Sequence, residues 1–342
     1  MKNILAALAC SALLLGGSAI AQSEEWKALF QEANALYFQG KFEDSVVAAQ
    51  KSLEVAERER NPRNPMAAAS LNRLAESYRA LGRFAMAEPL YKRSLEIRER
   101  VRGADSAEAA QSLNNLAQLY VMQGQYGAAE PLFKRSLAIR EKVNGADHPD
   151  VAWTLNGLAE LYREQGKFAE AEPLYERSLP ILEKSLLQSP QPPGTINQIS
   201  FALTGLASIR GRQGRNEEAE AVYKRAIAII DDSRDRDHPL MSRPLQGLAT
   251  LYAREGKGEA AEVLYKRAIA ILENSLDRDH PRMAAVLQGL AAVYAARGEN
   301  VAAEALLKRA LDIRVKALGE KHPDVAATRD LLAKVQAAKP GK

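Results

Sequence analysis

The sequence is short of what reactive chemistry and large globular cores are usually built from. Its 342 residues include one cysteine, at position 10, so an intramolecular disulfide and a thiolate metal cluster are both excluded. There are four histidines, and aromatic residues make up only 6% of the chain. No Gly-x-Ser-x-Gly elbow and no glycine-rich phosphate loop occurs, which removes the usual marks of a serine hydrolase or a nucleotide binder. A dominant charge is missing too. Forty-seven Lys and Arg stand against 43 Asp and Glu, a formal charge of +4, too mild over this length for a dedicated nucleic-acid binder. The chain therefore reads as no enzyme, with no cofactor, no resident metal and no nucleic-acid partner. What is present is 46% hydrophobic and 26% charged, which excludes both a disordered chain and a polytopic membrane protein. Alanine and leucine supply most of the apolar surface, which suits closely packed helices.

The N terminus reads as an address. Met1-Lys2 gives a positive start, Ile4 to Leu15 is apolar apart from Ser11, and Ala19-Ile20-Ala21 offers a small-x-small cleavage site. This is the pattern of a secretory signal peptide, residues 1–21, cut after Ala21. The run is short of the about 20 apolar residues that span a membrane. An uncleaved anchor and a lipoprotein at Cys10 are the other readings. Cleavage removes Cys10, leaves no integral span, and places the mature chain in the periplasm or outside the cell.

The remainder is one unit written seven times. A glycine recurs at Gly40, Gly82, Gly124, Gly166, Gly214, Gly256 and Gly298, with spacings of 42, 42, 42, 48, 42 and 42. Before it stands text such as Leu113-Asn114-Asn115-Leu116-Ala117, and after it text such as Ala87-Glu88-Pro89-Leu90-Tyr91. Each unit reads as two amphipathic helices, such as 67–81 and 84–100. The glycine ends the first helix. Pro89, Pro131 and Pro173 are expected in the first turn of the second, where a missing N–H costs little. Small residues recur where two helices must cross: Ala75, Ala117, Ala159, Ala207, Ala249 and Ala291 in the first, and Ala87, Ala129, Ala171, Ala219, Ala261 and Ala303 in the second. A tyrosine knob recurs at Tyr78, Tyr120, Tyr162, Tyr252 and Tyr294, but Arg210 takes its place in the fifth unit, where packing should be atypical.

This text resembles the tetratricopeptide repeat in its 42-residue variety, and is similar to the repeats of kinesin light chains. The resemblance runs from about residue 24 to the C terminus. It implies an all-α, right-handed superhelical solenoid of about seven helix-turn-helix repeats with a C-terminal capping helix. On this reading residues 22–188 are repeats 1–4, residues 189–194 a Pro-rich loop or bend, residues 195–322 repeats 5–7, and residues 323–342 the capping helix and tail. Pro180, deep in the helix before the bend, should kink it.

The same resemblance places the functional surface. First helices of such proteins line a concave groove that takes peptide or protein segments. Asn72, Asn114, Asn156, Thr204, Gln246 and Gln288 share the position where the family often presents an amide, which both donates and accepts. Three residues earlier stand Ala69, Gln111, Trp153, Phe201, Arg243 and Ala285. Trp153 and Phe201 would project into the groove near the bend, and Arg163 and Arg212 would meet a carboxylate. The partner-binding set is thus Asn72, Gln111, Asn114, Trp153, Asn156, Arg163, Phe201, Thr204, Arg212, Gln246 and Gln288. The competing readings are packing between repeats for the aromatics and hydrogen bonding between neighbouring helices for the amides.

Two further patterns carry a structural and a functional reading each. Glu88, Glu130, Glu220, Glu262 and Glu304 each precede by four residues a lysine, at 92, 134, 224, 266 and 308, the favourable order for a helical ion pair. Arg93, Arg135, Arg177, Arg225, Arg267 and Arg309 form a second row. The rows read either as a paired, solvated face or as a basic convex stripe for polysaccharide or anionic lipid. His148, His238, His280 and His322 share one loop position, where they cap a helix or bind at a repeat edge. At about 10 Å per helical layer they cannot share one metal. Self-association through a groove or an open end is a further possibility for partners.

Overall fold

A computed structural model describes residues 23–58, 61, 63–188, 194–233, 238–275, 280–320 and 322–338. The expected signal peptide and residues 189–193 of the Pro-rich segment lie outside these. The chain divides into two compact units, 1–146 and 147–342, and among the described residues all regular structure is helical.

The first unit contains three hairpins. They are α1 (23–38) with α2 (Phe42–Glu57), α3 (Pro65–Ala80) with α4 (Phe84–Arg102), and α5 (Ala107–Met122) with α6 (Tyr126–Asn144). The second unit contains four hairpins and a last helix. They are α7 (Pro149–Glu164) with α8 (Phe168–Leu186), α9 (Thr195–Arg212) with α10 (Asn216–Ser233), α11 (Ser242–Arg254) with α12 (Gly258–Ser275), α13 (Pro281–Ala296) with α14 (Asn300–Leu318), and α15 (Pro323–Ala337). A 3-10 turn, Pro239–Met241, leads into α11. In both units the tightest packing is inside a hairpin, followed by the contact of its second helix with the first helix of the next.

The local chemistry accounts for each boundary. All twelve crossing alanines are fully buried, which lets paired helices approach closely. The recurring glycine takes φ near +74° at Gly82 and Gly166, a left-handed conformation that a side chain resists. Beyond it the chain turns back, with Arg83 N–H donating to the Tyr78 carbonyl at 2.8 Å and Gln125 N–H to that of Tyr120 at 2.8 Å. These are the six-to-one bonds of a Schellman motif. Each repeated histidine is an N-cap. The Nδ1 atoms of His148, His238, His280 and His322 accept from the backbone N–H two residues on, each at 3.2 Å. Proline in the next position needs no such acceptor.

One local expectation is corrected. Pro89 is the sixth residue of α4, which begins at Phe84, and therefore lies in the second turn. Its ring is exposed, and so is Ala85, whose carbonyl loses its partner, so water can satisfy that group and the helix continues. Likewise α8 is helical through both Pro173 and Pro180.

The expected glutamate–lysine pairs all form, at 2.6 to 2.9 Å. The glutamates also receive the knob tyrosines of the next repeat: Tyr120 donates to Glu88 at 3.1 Å, Tyr252 to Glu220 at 2.9 Å and Tyr294 to Glu262 at 3.0 Å. Where Arg210 replaces the tyrosine, the lysine is replaced by Glu176. Arg210 then joins Glu172 at 3.1 Å and Glu176 at 2.8 Å, and Arg215 adds a second cation to Glu172. The atypical packing of the fifth repeat is thus a charge exchange across one contact.

Candidate functional site

The first helices of the 147–342 unit present side chains at the same spacing, i, i+4, i+7 and i+11. On α9 these are Phe201, Gly205, Ser208 and Arg212; on α11, Arg243, Gly247, Thr250 and Arg254; on α13, Ala285, Gly289, Ala292 and Ala296. The glycines are not gaps. A Cβ at Gly205 would fall 2.5 Å from the Tyr175 ring, one at Gly247 2.3 Å from Tyr223, and one at Gly289 2.5 Å from Tyr265. Each ring comes from the preceding second helix and fills the space where a side chain would be.

Between α7, α9 and α11 lies a cleft of about 410 Å³. It brings together five of the expected site residues, Arg163, Phe201, Thr204, Arg212 and Gln246, with Glu160, Ser208, Tyr223, Arg243, Thr250 and Arg254. The guanidinium of Arg163 forms a fork on Glu160, with Nε and Nη2 each 2.8 Å from a carboxylate oxygen, and also reaches Glu164. The Tyr175 hydroxyl donates to the same Glu160 at 2.9 Å. Burial by itself would raise the Glu160 pKa, but Arg163, the Tyr175 hydroxyl and Arg243 together hold it below the ordinary carboxylate value.

The other three cations differ. Among the described residues Arg212, Arg243 and Arg254 meet no carboxylate. Arg254 donates to the Gly211 carbonyl at 3.2 Å, and Arg243 lies over the Phe201 ring at 5.6 Å from its centroid. Phe201 in turn stands edge-on to Tyr175 at 6.4 Å. Burial pushes the Tyr223 hydroxyl up to about 12, against the opposing effects of Ser208, Arg163, Arg212 and Arg254. The hydroxyl of Thr204 is buried in the wall without a hydrogen-bond partner. The cleft is therefore a half-enclosed surface with an aromatic plate and more guanidiniums than carboxylates, four arginines to Glu160.

The other expected site residues do not gather there. Asn72 is buried in α3, donating to Glu76 at 3.0 Å and accepting from Asn115 at 2.9 Å. Asn156 is 1% exposed; it donates to the Gln198 side chain at 3.0 Å and accepts from Ser178 at 2.5 Å. These two amides bond within and between neighbouring helices. Asn114 is buried in α5 with its Oδ1 unpartnered. Gln111 accepts from Arg98 at 2.9 Å, and Gln288 from Arg314. Trp153 is half-buried beside Gly194, with its Nε1 unpartnered. Arg254, Arg243 and Tyr223 were not in the expected set. Their signal lies in the period itself, since Arg254 stands 42 residues after Arg212 and Arg243 stands 42 after Phe201.

Five of the six arginines in the row on the second helices are ion-paired. Arg93, Arg135, Arg225 and Arg309 bind Glu57, Glu99, Glu183 and Glu273 at 2.6 to 2.8 Å, and Arg267 binds Asp231 at 3.5 Å.

The tetratricopeptide repeat model matches residues 27–100, 66–142, 108–184, 198–274, 246–314 and 282–341. No curated protein matches significantly. Among solved structures, a tetratricopeptide repeat protein from Parabacteroides merdae is 20% identical with a TM-score of 0.58, over 92% of this chain and 99% of that one. A Rap protein complexed with Competence and Sporulation Factor is 16% identical with a TM-score of 0.58, over 92% and 98%. BtubC (BKLC) from P. vanneervenii is 23% identical with a TM-score of 0.54, over 68% and 91%.

Proposed function

The chain belongs to the tetratricopeptide repeat family, and from that premise we propose that it is a non-catalytic scaffold, exported to the periplasm or beyond, that binds an acidic protein segment in the cleft of α7, α9 and α11. The observation that carries this reading is the set of three guanidiniums, Arg212, Arg243 and Arg254, beside Phe201, none of them in a direct ion pair among the described residues, in a cleft whose lining carboxylate, Glu160, is already forked by Arg163. Planar guanidiniums hold carboxylates through paired N–H donors, and an aromatic plate among polar groups is a usual anchor at an interface. Gln246 supplies a further hydrogen-bonding group. The Rap structure is of a complex with Competence and Sporulation Factor, so a fold of this kind accommodates a bound partner. Binding of polysaccharide or anionic lipid through the second helices is not favoured, because that arginine row is already ion-paired.

The test is binding of a labelled glutamate-rich peptide to the full chain, followed by fluorescence anisotropy. Arg212→Glu with Arg243→Glu should weaken it about a hundredfold, and affinity should fall steeply with salt. Unchanged affinity in the double variant would remove the cleft from the function. Export is tested separately, by the N-terminal residue of the protein recovered from cell envelopes, which should be Gln22.

A further inference from the structure

A second cavity, of about 1080 Å³, lies over α13 in the 147–342 unit. One wall is apolar. Ala285, Ala292 and Ala296 line it, and the Tyr265 ring fills the place of a side chain at Gly289, 2.5 Å from a would-be Cβ. A guanidinium stands toward each end. Arg254 is the last residue of α11 and precedes Gly256 by two positions, as Ala296 precedes Gly298. Arg314 reaches in from α14 to Gln288. Gln288 and Ala296 are eight positions apart on α13, so the two ends are separated by about 12 Å along the helix.

Both of these cations lack an anion. Arg314 is half-buried, and its Nη1 makes all its contacts, to the side chains of Gln288 and Thr328 and to the Asp324 carbonyl at 3.3 Å. Burial lowers its pKa, with Asp324 opposing. Arg254 is exposed and donates to the Gly211 carbonyl at 3.2 Å. Among the described residues neither is in an ion pair. The other cations of the lining differ: Arg297 is held by Glu262 at 2.6 Å and Lys257 by Glu255 at 2.8 Å. The lining carboxylate, Glu259, is exposed in the first turn of α12 and acts on Arg297. A partly buried guanidinium with neutral acceptors alone gains most from an ionised one, which strengthens its hydrogen bonds.

The arrangement selects among anions. A compact anion reaches one guanidinium and leaves the methyl wall bare. A fatty monocarboxylate covers the wall and still reaches one guanidinium. Two carboxylates joined by an apolar chain satisfy both ends and the wall between them. We propose that the cavity over α13 is a binding site for a small α,ω-dicarboxylate, one carboxylate on Arg254, the other on Arg314, and the methylene chain against Ala292 and its neighbours. The separation calls for a chain on the order of six to ten carbons, at about 1.25 Å per extended C–C bond. This occupant is distinct from the acidic protein segment, although both use Arg254.

The experiment is calorimetric titration of the full chain with straight-chain dicarboxylates from succinate to dodecanedioate, and with monocarboxylates of equal length. Affinity should peak at an intermediate chain, near suberate to sebacate. The best dicarboxylate should bind about tenfold more tightly than its monocarboxylate. Arg314→Gln should erase that preference, and so should Arg254→Gln at an exposed position where folding is not at stake. A preference retained in both variants, an affinity that does not peak with chain length, or no saturable binding at any length would overturn the proposal. Arg314→Gln should leave the glutamate-rich peptide's affinity unchanged. Failure of the dicarboxylate site and failure of the acidic-segment reading are thus separate results.

Discussion

A tyrosine ring set against a helical glycine is the smallest packing device in the 147–342 unit, used at Gly205, Gly247 and Gly289. At Gly247 the host helix would gain up to about 1 kcal/mol of propensity from alanine. The added methyl, however, would sit 2.3 Å from a ring that is 5% exposed and has nowhere to retreat. Overpacking of a filled core costs about 1–3 kcal/mol, so Gly247→Ala should lower the urea midpoint. Gly127 is the control. It is the second residue of α6 with nothing within 4 Å of its would-be Cβ, and Gly127→Ala should be neutral or stabilising by up to about 1 kcal/mol. Equal shifts in the two variants would mean that the sockets play no part in stability. Such sockets are hard to see in sequence alone, because a glycine inside a helical pattern looks like a local weakness until its partner ring is located.

Between elements, stability is carried by glutamates that each join two repeats. Glu262 is held at about 2 by Lys266 first, then Arg297 and the Tyr294 hydroxyl. A carboxylate whose pKa is lowered on folding contributes stability above its unfolded pKa of about 4.3, and loses it as pH falls toward the folded value. Glu262→Gln should therefore destabilise the protein at pH 7, by an amount that shrinks as pH falls below about 4 and vanishes only below about 2. A constant difference across that range, measured by urea titration, would contradict the assignment. The charge exchange at the fifth repeat gives a second test. Arg210→Ala leaves Glu172 with Arg215 alone and Glu176 with no cation, and should cost about 1–2 kcal/mol at pH 7. Arg210→Tyr combined with Glu176→Lys rebuilds the Glu88–Lys92–Tyr120 arrangement, and should be more stable than either single change. The glutamate–lysine pairs were legible because both partners lie on one helix four residues apart. Asn72 and Asn156 were not, since their partners depend on how neighbouring helices pack and rotate.

For the molecule as a whole, period and helix content were readable from the spacing of Gly40 through Gly298 and from the twelve alanines, whose burial follows from local repetition. The site was readable in part. Phe201, Arg212 and Gln246 line the candidate cleft, while Arg243 and Arg254 join them only once the packing of α9 against α11 is known. Because contacts run between neighbours in sequence, damage should stay local. Leu113→Ala in the first unit and Leu203→Ala in the second each empty a fully buried site, at a cost of about 2–5 kcal/mol. Hydrogen exchange should accelerate chiefly in the unit that carries the change, and uniform acceleration throughout would indicate a single cooperative body instead.

The ring-and-glycine pairs also bear on how such a gene can change its length. Tyr223 and Tyr265 stand 42 residues apart, as do the glycines they face, Gly247 and Gly289, so duplication or loss of that 42-residue period returns each ring to a glycine. A crossover out of phase would return it to a side chain. The sockets thus tolerate a change in the number of such repeats and penalise a change in their phase.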